Sequence, residues 1–413
     1  VLDGVFSHTG SDSRYFNRFR HYPGCGAYNS HSSVYARWYS FAHYPDDYKC
    51  WWDFKDLPAV NAANPDWRKY MITGERSIVK TWLRDGASGW RLDVADELPD
   101  DVLRGMRSAA KETDPDSVLL GEVWEDAVTK VSYGERRQYA LGDALDSVMN
   151  YPLRDGLVAF LTGRSTARAL ADLLLSQRLN YPQPLYYALM NLTASHDVAR
   201  TRSALALDFD PRSRTRAELA ALEITDAMAA RGAQLQVLAA AVQFWLPGIP
   251  SIYYGDETGM QGLCDPFNRA PLQMCDTQML QWYAQLTALR HAHPALTRGE
   301  VAVFAPAGDV LCVLRVIADG RDAFGEEAED EALLLIVNRA AHPVRCHVEL
   351  TCPGAGLCEE TRLAFVRSEY DCAADCTDDT HIAIRDGVGA FDLPPHAAKI
   401  YRLENRHGTE TGS

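Results

Sequence analysis

Two carboxylates that each follow a predicted buried strand, Asp93 and Glu122, are the residues of this chain best suited to chemistry. The stretch Gly89–Glu97 alternates apolar with polar residues, and Gly89 at its start would let two backbones approach closely. A second predicted strand, Val118–Val123, carries Glu122 near its end. One strand, one helix and one loop separate the two acids, so they lie one βα unit apart. A pair of this kind suits glycoside hydrolysis, in which one acid attacks the anomeric carbon and the other protonates the leaving oxygen.

Arg91 lies two residues before Asp93, on the same face of the predicted strand. A buried arginine and a buried aspartate are costly unless each pairs with the other. Taken alone, the pair fits a purely structural ion pair as well as a catalytic one. Predicted helices on both sides give a βαβ rhythm, which is typical of a parallel barrel or sheet. Because catalytic residues gather at the C-terminal ends of such strands, the rhythm favours catalysis.

Four segments resemble the motifs of the α-amylase family of retaining glycoside hydrolases, family 13. In chain order they are Asp3–His8, Gly89–Glu97, Gly121–Trp124 and Ser195–Asp197. The resemblance is closest to the cyclomaltodextrinase, neopullulanase and maltogenic amylase group, and it runs from residue 1 to about 404. Each motif is weak by itself, since a loop histidine or a His-Asp dipeptide is common. Their order at successive strand ends is what makes the set specific.

The resemblance implies a role for each site residue. Asp93 would be the nucleophile, and Asp197 a third carboxylate that binds sugar hydroxyls. Glu122 would be the acid/base, which must hold its proton near neutral pH, and we expect burial and nearby negative charges to keep it protonated. The residues implied to bind substrate or support the site are His8, Arg91, His196, Trp124 and Glu97, with Asp3 as a structural residue near the site. Glu97 either contacts sugars beyond the scissile bond or only fixes its loop, and both interpretations stay open.

The implied fold is α/β: a (β/α)8 TIM barrel with a domain B excursion and a C-terminal antiparallel β-sandwich. Six strand ends are visible, and we assign them to strands 3–8 of the barrel. We therefore expect this chain to be an N-terminally truncated piece that is inactive and poorly stable alone. The predicted domains are a catalytic barrel over 1–296 with domain B over about 9–56, a β-sandwich over 297–404, and a tail over 405–413. We also predict one helix over 66–84 and a long helical region over 214–245, with a break near Gly232 as an alternative.

The composition of the chain limits the classes of partner that we expect the protein to bind. The 413 residues carry a formal net charge of −15 without a basic cluster, so we expect no nucleic-acid partner. No apolar run is long enough for a membrane span, so we expect no membrane partner. The expected partner is an α-glucan or maltooligosaccharide substrate, with a homodimer of the full-length protein as an open alternative. Ten cysteines in no zinc-site pattern favour free thiols in a cytoplasmic protein, the alternative being disulfides in the C-terminal domain of a secreted enzyme.

Two further expectations follow from the resemblance. Ser7 stands where many relatives have an asparagine that binds a structural calcium, so we predict that this site holds no metal and that the protein needs no cofactor. The leading function is cleavage of α-1,4 or α-1,6 glucosidic bonds in maltooligosaccharides, cyclodextrins or pullulan. The alternative is a non-catalytic carbohydrate-binding or interaction protein on the same scaffold. Such proteins usually lack one of the three carboxylates, and all three are present here.

Overall fold

A computed structural model describes residues 1–350, 363–371 and 388–405. The chain divides into two compact units, Val1–Met149 and Asn150–Ser413, which are described separately. The domain limits predicted from the sequence stay a prediction, and at the predicted boundary of 296/297 the structure has a short helix, Pro294–Arg298. The predicted tail beyond residue 405 lies outside the described residues.

The first unit contains short strands and three α-helices. The strands are β1 (Leu2–Gly4), β2 (Phe41–His43), β3 (Asp47–Tyr48), β4 (Gly89–Leu92), β5 (Val118–Gly121), β6 (Val131–Ser132), β7 (Glu135–Arg136) and β8 (Ser147–Val148). The helices are α1 (Pro65–Arg68), α2 (Ile78–Arg84) and α3 (Asp100–Thr113). The single helix predicted over 66–84 is wrong. Its first part continues α1 as a π-helical turn, Lys69–Thr73, and Ser77 then caps a new helix by accepting the backbone N–H of Lys80.

Four strands form a parallel sheet in the order β1-β4-β5-β8. Leu92 is the register partner of both Gly4 and Gly121, so the residues after them leave the sheet at one edge. Gly89 allows β4 and β5 to approach each other, as predicted, because a Cβ at this position would lie 2.1 Å from the carbonyl oxygen of Val118. The register therefore places Asp93 and Glu122 at the same level on neighbouring strands.

The segment predicted as domain B has little regular structure, which is why no period is visible in its sequence. Fully buried Phe16 organises it, with the rings of Tyr39 and Tyr48 at centroid distances of 4.9 and 4.7 Å. Isolated β-bridges, among them His8 to Ala59, join its ends. The segment is thus held by aromatic packing rather than by a helix or a sheet face.

The second unit contains helices followed by antiparallel sheets. The helices are α4 (Tyr151–Leu161), α5 (Ala167–Asn180), α6 (Gln183–Tyr187), α7 (Thr201–Ala206), α8 (Arg216–Ala221), α9 (Asp226–Trp245), α10 (Thr277–Ala292) and α11 (Pro294–Arg298). The strands are β9 (Met190–Leu192), β10 (Ile249–Ser251), β11 (Glu300–Ala307), β12 (Val310–Ile317), β13 (Glu331–Asn338), β14 (Val344–Glu349), β15 (Leu363–Asp371), β16 (Val388–Leu393) and β17 (Ala397–Asn405). The region predicted as helical over 214–245 contains two helices, α8 and α9, which are separated by residues 222–225. Gly232 lies inside α9, where a Cβ would lie 2.4 Å from the carbonyl oxygen of Arg202.

Strands β9 and β10 pair in parallel, and β11-β12-β13-β17-β15 form an antiparallel sheet beside the two-stranded sheet β14-β16. Strand β12 is buried along its whole length because each of its faces meets a different layer. Leu311 and Val313 pack in a cluster with helix residues such as Trp245, whereas Cys312 packs with Phe391 of the smaller sheet. One apolar core therefore continues from the helices into the sheets of this unit.

Arg315 is the one charged residue of β12 and is fully buried. Its guanidinium donates to the carbonyl oxygens of Trp245, Leu296 and Gly299 at 2.6, 2.7 and 2.9 Å. Burial lowers the pKa of Arg315 to about 10. These bonds link β12 to the ends of α9 and α11, so a buried cation replaces apolar packing at this point.

No helix within the described ranges is both long and apolar enough to cross a membrane. The six cysteines in the same part of the chain, at positions 25, 50, 264, 275, 312 and 346, are free thiols. Cys352, Cys358, Cys372 and Cys376 lie outside the described residues, and so does the predicted alternative of disulfides among them.

Candidate active site

One guanidinium contacts three carboxylates at the edge of the parallel sheet. Arg91 Nη1 donates to Asp3 Oδ1 at 2.8 Å and to Asp93 Oδ1 at 2.7 Å. Its Nη2 lies 3.0 Å from Glu122 Oε2, an ion-pair contact without hydrogen-bond geometry. Burial opposes the charge on Arg91, but Glu122, Asp3 and Asp93 more than offset it and raise the pKa of Arg91 above its ordinary value. The structure thus brings together the predicted nucleophile, the predicted acid/base and two predicted supporting residues.

Glu122 is the most buried of the three carboxylates: its side chain is 4% exposed, against 23% for Asp93 and 59% for Asp3. The backbone N–H of Val94 donates to its Oε2 at 2.8 Å, and Trp124 Nε1 donates to its Oε1 at 3.2 Å. The predicted burial is therefore present. These donors and Arg91 favour the ionised carboxylate, whereas burial and the other two acids favour the protonated form. That Glu122 keeps its proton near neutral pH stays a prediction.

The turn after β4 has an unusual backbone. Val94 has φ of +37° and ψ of +62°, a left-handed conformation that is strained for a β-branched residue. This conformation points its N–H at Glu122, and the next N–H, of Ala95, donates to the Glu122 carbonyl oxygen at 3.2 Å. The strained residue therefore follows Asp93, the predicted nucleophile, directly and itself provides the N–H that holds Glu122, the predicted acid/base.

His8 lies beside this carboxylate cluster. Its pKa is lowered by burial, although Asp93 and Glu97 act electrostatically to raise it, so both carboxylates are near the imidazole. The ring stacks on Trp51 at 5.2 Å, and Trp51 stacks in turn on Trp52 at 4.9 Å. Trp51 thus packs against both His8 and Trp52, whereas Trp52 is 70% exposed.

Ser7 precedes His8 and is buried. Its hydroxyl lies 2.9 Å from Nδ1 of His8, so this side chain positions the histidine. In the described part of the chain, no group of three or more His, Cys, Asp or Glu side chains is arranged to hold a metal ion. The predicted absence of calcium at Ser7 stays a prediction.

Glu97 and its neighbours are tied to the segment that follows Glu122. Tyr133 donates from its hydroxyl to Glu97 Oε1 at 2.5 Å. Asp96 accepts from Tyr139 at 2.5 Å and pairs with Lys130 at 2.9 Å. The loop after the predicted nucleophile is therefore fixed by side chains of residues 130–139. Sequence reasoning missed these residues, because the tyrosines and charged residues of this segment follow no helical or strand spacing that would indicate a contact with the loop.

His196 and Asp197 belong to the second unit, where they follow β9. Asp197 Oδ2 lies 3.2 Å from His196 Nε2, and its Oδ1 lies 3.6 Å from Arg269 Nη2. Buried Asn268 donates from its amide to the carbonyl oxygens of Ser195, His196 and Val198 at 2.8 to 3.0 Å. Asn268 and Arg269 thus position the turn that carries Asp197. Sequence analysis assigned no role to Asn268 or Arg269, because the hydrogen bonds that connect Asn268 to residues 195–198 form only in the folded chain.

The chain is similar to known proteins over most of its length. A model of the alpha amylase catalytic domain matches residues 1–270. The chain is 33% identical over 383 residues to an amylopullulanase of Thermoanaerobacterium thermosulfurigenes, an alignment that covers 85% of this chain and 20% of the relative. It is 30% identical over 352 residues to a cyclomaltodextrinase of Geobacillus thermopakistaniensis, covering 82% of this chain and 51% of the relative. The chain therefore spans between a fifth and about half of these curated relatives.

Solved structures show the same fold. A cyclic alpha-maltosyl-(1→6)-maltose hydrolase of Arthrobacter globiformis in complex with its cyclic sugar matches with a TM-score of 0.70 and 24% identity, over 97% of this chain and 74% of that one. A cyclomaltodextrinase matches with a TM-score of 0.73 and 23% identity, over 98% of this chain and 60% of that one. The family match covers well over half of the chain, and a (β/α)8 barrel is the fold it implies for residues 1–270. The chain belongs to the alpha-amylase family.

Proposed function

We propose that this protein is a retaining glycoside hydrolase that cleaves α-1,4 or α-1,6 glucosidic bonds in maltooligosaccharides, cyclodextrins or pullulan. The observation that carries the proposal is the contact of one arginine with Asp93 and Glu122 at the ends of adjacent parallel strands. Two carboxyl groups on one scaffold edge are what double displacement requires. The names of the relatives, amylopullulanase and cyclomaltodextrinase, support this substrate class.

In the first step, Asp93 attacks the anomeric carbon and Glu122 gives its proton to the leaving oxygen. Arg91 orients Asp93, because it donates to the aspartate and is itself held by Asp3 on the neighbouring strand. The transition state is a cationic, flattened sugar, so the unprotonated carboxylates near the ring stabilise it. Asp197 is proposed to bind sugar hydroxyls, and His8 and His196 to donate hydrogen bonds that strengthen as charge develops.

In the second step, water attacks the glycosyl–Asp93 ester while Glu122 accepts its proton. Glu122 gave up its proton in the first step, and formation of the ester removes the negative charge of Asp93, which favours the ionised form of Glu122 and allows it to act as a base. A sugar hydroxyl in place of water gives transglycosylation from the same intermediate. Trp124 and the Val94 N–H hold the two oxygens of Glu122, so the same carboxyl group is positioned for both steps.

We also propose that the six parallel strands seen here, four in the first unit and two in the second, are strands 3–8 of a closed barrel. The two C-terminal sheets, which share one apolar cluster, are proposed to form a β-sandwich. The protein is proposed to work without calcium because Ser7 already contacts His8. Loss of activity, or a marked drop in melting temperature, when the intact protein is dialysed against a calcium chelator would contradict this last proposal.

The mechanism is tested with Asp93→Asn and Glu122→Gln in the intact protein. Asp93→Asn should abolish turnover of maltooligosaccharides and of activated aryl glucosides, because both need the nucleophile. Glu122→Gln should abolish cleavage of maltooligosaccharides but spare the first step with activated aryl glucosides, whose leaving group needs no proton. Asp116→Asn, an exposed acid in the loop before β5, is the matched control and should change neither rate.

Equal loss on both kinds of substrate in Glu122→Gln would contradict the acid role. We further expect a crystal structure with bound sugar to place the two carboxyl groups about 5 to 5.5 Å apart, whereas a separation of about 9 Å would indicate an inverting enzyme. An intact wild-type protein that binds α-glucans but releases no glucose or maltose from them would favour a carbohydrate-binding protein instead.

A further inference from the structure

A cavity of about 390 Å³ opens in the first unit between two short helical turns. One is Ala36–Trp38, and the other is the π-helical turn Lys69–Thr73. We call it the aromatic cavity, because the rings of Tyr35, Trp38 and Tyr70 line it. Its volume lies in the range of small-molecule binding sites, about 300–1,000 Å³. The described residues that line it are not those of the candidate active site, so a function of this cavity is separate from the chemistry at the carboxylate cluster.

Packing of aromatic rings fixes the wall of the cavity. The ring centroid of Trp38 lies 4.9 Å from that of Tyr35 and 5.4 Å from that of Tyr70. Tyr15 contacts all three rings, with centroid distances of 5.3 to 5.9 Å. Trp38 is 4% exposed, and its indole N–H has no hydrogen-bond partner in the part of the chain that the structure describes, which is unusual for a buried donor. Tyr70 is 39% exposed, so the buried rings hold one accessible ring in place.

The backbone on the other side of the cavity is shaped by the π-helical turn. Turns of this kind are rare and occur frequently at functional sites. The N–H of Gly74 ends the turn by donating to the carbonyl oxygen of Lys69 at 2.8 Å. A Cβ at Gly74 would lie 2.5 Å from the same oxygen, so the turn requires glycine here. The turn places Lys69 and Tyr70 next to each other on the cavity wall.

Four charged residues surround the aromatic cavity. Lys69 and Arg76 carry positive charges on its rim. Asp66 and Glu75 carry an equal number of negative charges, so the rim has no formal net charge. A balanced rim does not favour an ion, whereas ammonium, guanidinium and carboxylate groups all form hydrogen bonds with hydroxyls. Because the ring of Tyr70 adds a flat apolar face of the kind that packs on the C–H face of a sugar, the cavity fits a neutral, polyhydroxylated ligand.

The backbone connects the aromatic cavity to the active-site segment that carries His8. The N–H of Asn61 donates to the carbonyl oxygen of Trp38 at 2.7 Å. The N–H of Val60, its neighbour, donates to the carbonyl oxygen of Ser7 at 2.9 Å. The cavity and His8 are thus held on one framework, and a chain molecule bound in the cavity is kept close to the active site.

We propose that the aromatic cavity is a second binding site for α-glucan chains, at which no chemistry takes place. One glucose unit stacks on Tyr70, and the charged rim forms hydrogen bonds with its hydroxyls. The identity of the sugar rests on the proposed function. A long chain that occupies the cavity raises the local concentration of its other glucose units at the active site. Maltotriose has only three sugar units, so it is the substrate that gains least from a second site.

The test compares amylopectin with maltotriose as substrates of the intact protein. Tyr70→Ala should raise the KM for amylopectin at least about threefold, because the stacking face is lost. Its kcat and its KM for maltotriose should stay within about twofold of wild type. Tyr70→Phe keeps the ring and should retain the wild-type values, although it loses the contact of its hydroxyl with that of Tyr15 at 3.4 Å. Trp82→Ala is the matched control, because Trp82 is a 49% exposed aromatic residue of the same unit outside the cavity.

Two further measurements make the test independent of folding and of turnover. Arg76→Ala removes an exposed rim donor without touching the aromatic packing, and it should raise the KM for amylopectin about twofold. In an Asp93→Asn background, which should turn over no substrate, Tyr70→Ala should reduce retention of the protein in gels that contain amylopectin.

An unchanged KM for amylopectin in Tyr70→Ala, or an equal rise for amylopectin and maltotriose, would overturn the second site while the hydrolase assignment stands. A wild-type protein that cleaves neither substrate would overturn the proposed function. Retention of Asp93→Asn on amylopectin, and its loss on the further change Tyr70→Ala, would support the second site even then.

Discussion

Replacement of Arg91 by methionine tests the carboxylate cluster most directly. Methionine keeps the apolar part of the side chain but leaves Asp3, Asp93 and Glu122 without their shared cation. Asp3 and Asp93 reach water, so they lose little. Glu122 is 4% exposed, and an unpaired buried carboxylate costs about 3–5 kcal/mol. This cost applies where Glu122 is ionised in the wild type, so we expect a loss of roughly 2–4 kcal/mol in the free energy of unfolding at pH 9 and a smaller loss near neutral pH, where Glu122 is proposed to keep its proton.

The pH dependence of this loss identifies its cause. In Arg91→Met the folded state should bind a proton on Glu122 that the unfolded state has already released, so the stability of the variant should fall as pH rises. The deficit relative to wild type should therefore be small near pH 5 and large near pH 9. Denaturant unfolding at several pH values measures it. Activity should fall at least about 100-fold at every pH, because Asp93 loses its positioning contact.

Arg315→Met is the control for a lost buried arginine. Arg315 is fully buried but donates to carbonyl oxygens, which do not titrate. Its loss of stability should therefore be similar at pH 5 and pH 9, and it should exceed the loss from an exposed substitution. An Arg91→Met deficit that is also the same at both pH values would refute the view that Arg91 acts by holding the charge of Glu122.

Two further predictions concern strain and burial. Val94→Gly should raise the free energy of unfolding by about 1 kcal/mol, because relief of the left-handed strain outweighs the entropy cost of glycine. Its kcat should fall, because the N–H that donates to Glu122 becomes mobile. Thermal unfolding and turnover measure the two effects, and a variant that loses both stability and kcat would show that Val94 is not strained. Burial raises the pKa of Asp256 to about 6 in the folded protein from an ordinary 3.8, so its contribution to stability is present below pH 4 and is lost as pH rises through 6. Asparagine does not titrate, so the stability of Asp256→Asn relative to wild type should rise by up to about 3 kcal/mol between pH 4 and pH 7. Denaturant titrations measure this difference, and a difference that stays constant across the range would contradict the prediction.

The sequence predicted the parallel strands and the residues at their ends, because alternation and strand-end carboxylates are local signals. Asp93 and Glu122 follow strands that are register partners, and Gly89 permits the close approach that was expected of it. The helix over 66–84 was misjudged because its apolar positions keep a helical spacing through Gly74, while the N-cap at Ser77 restarts the helix. The spacing of apolar residues alone could not reveal that break in the helix.

Other features depend on contacts between segments far apart in sequence. The support of Asp96 and Glu97 by residues 130–139, and of the His196–Asp197 turn by Asn268, arises only when the chain folds. Val94 gives no sign of its positive φ in the sequence, since valine is a residue that favours strands. Chemistry-bearing residues were therefore predictable, whereas the residues that position them were not.

The balance of charge at the site explains how Glu122 can serve as an acid despite its donors. Arg91 supplies one positive charge to three carboxylates, so a fully ionised cluster would keep an excess of negative charge in a partly buried site. Such a cluster takes up a proton, and the carboxyl group farthest from water, Glu122, is the one that gains most from it. Asp3→Asn removes one negative charge and leaves Arg91 to the other two carboxylates, and both effects make Glu122 release its proton more readily. In Asp3→Asn, the decrease of kcat/KM at high pH should therefore begin at a lower pH than in the wild type. A decrease at the same or a higher pH would show that Asp3 has no part in keeping Glu122 protonated.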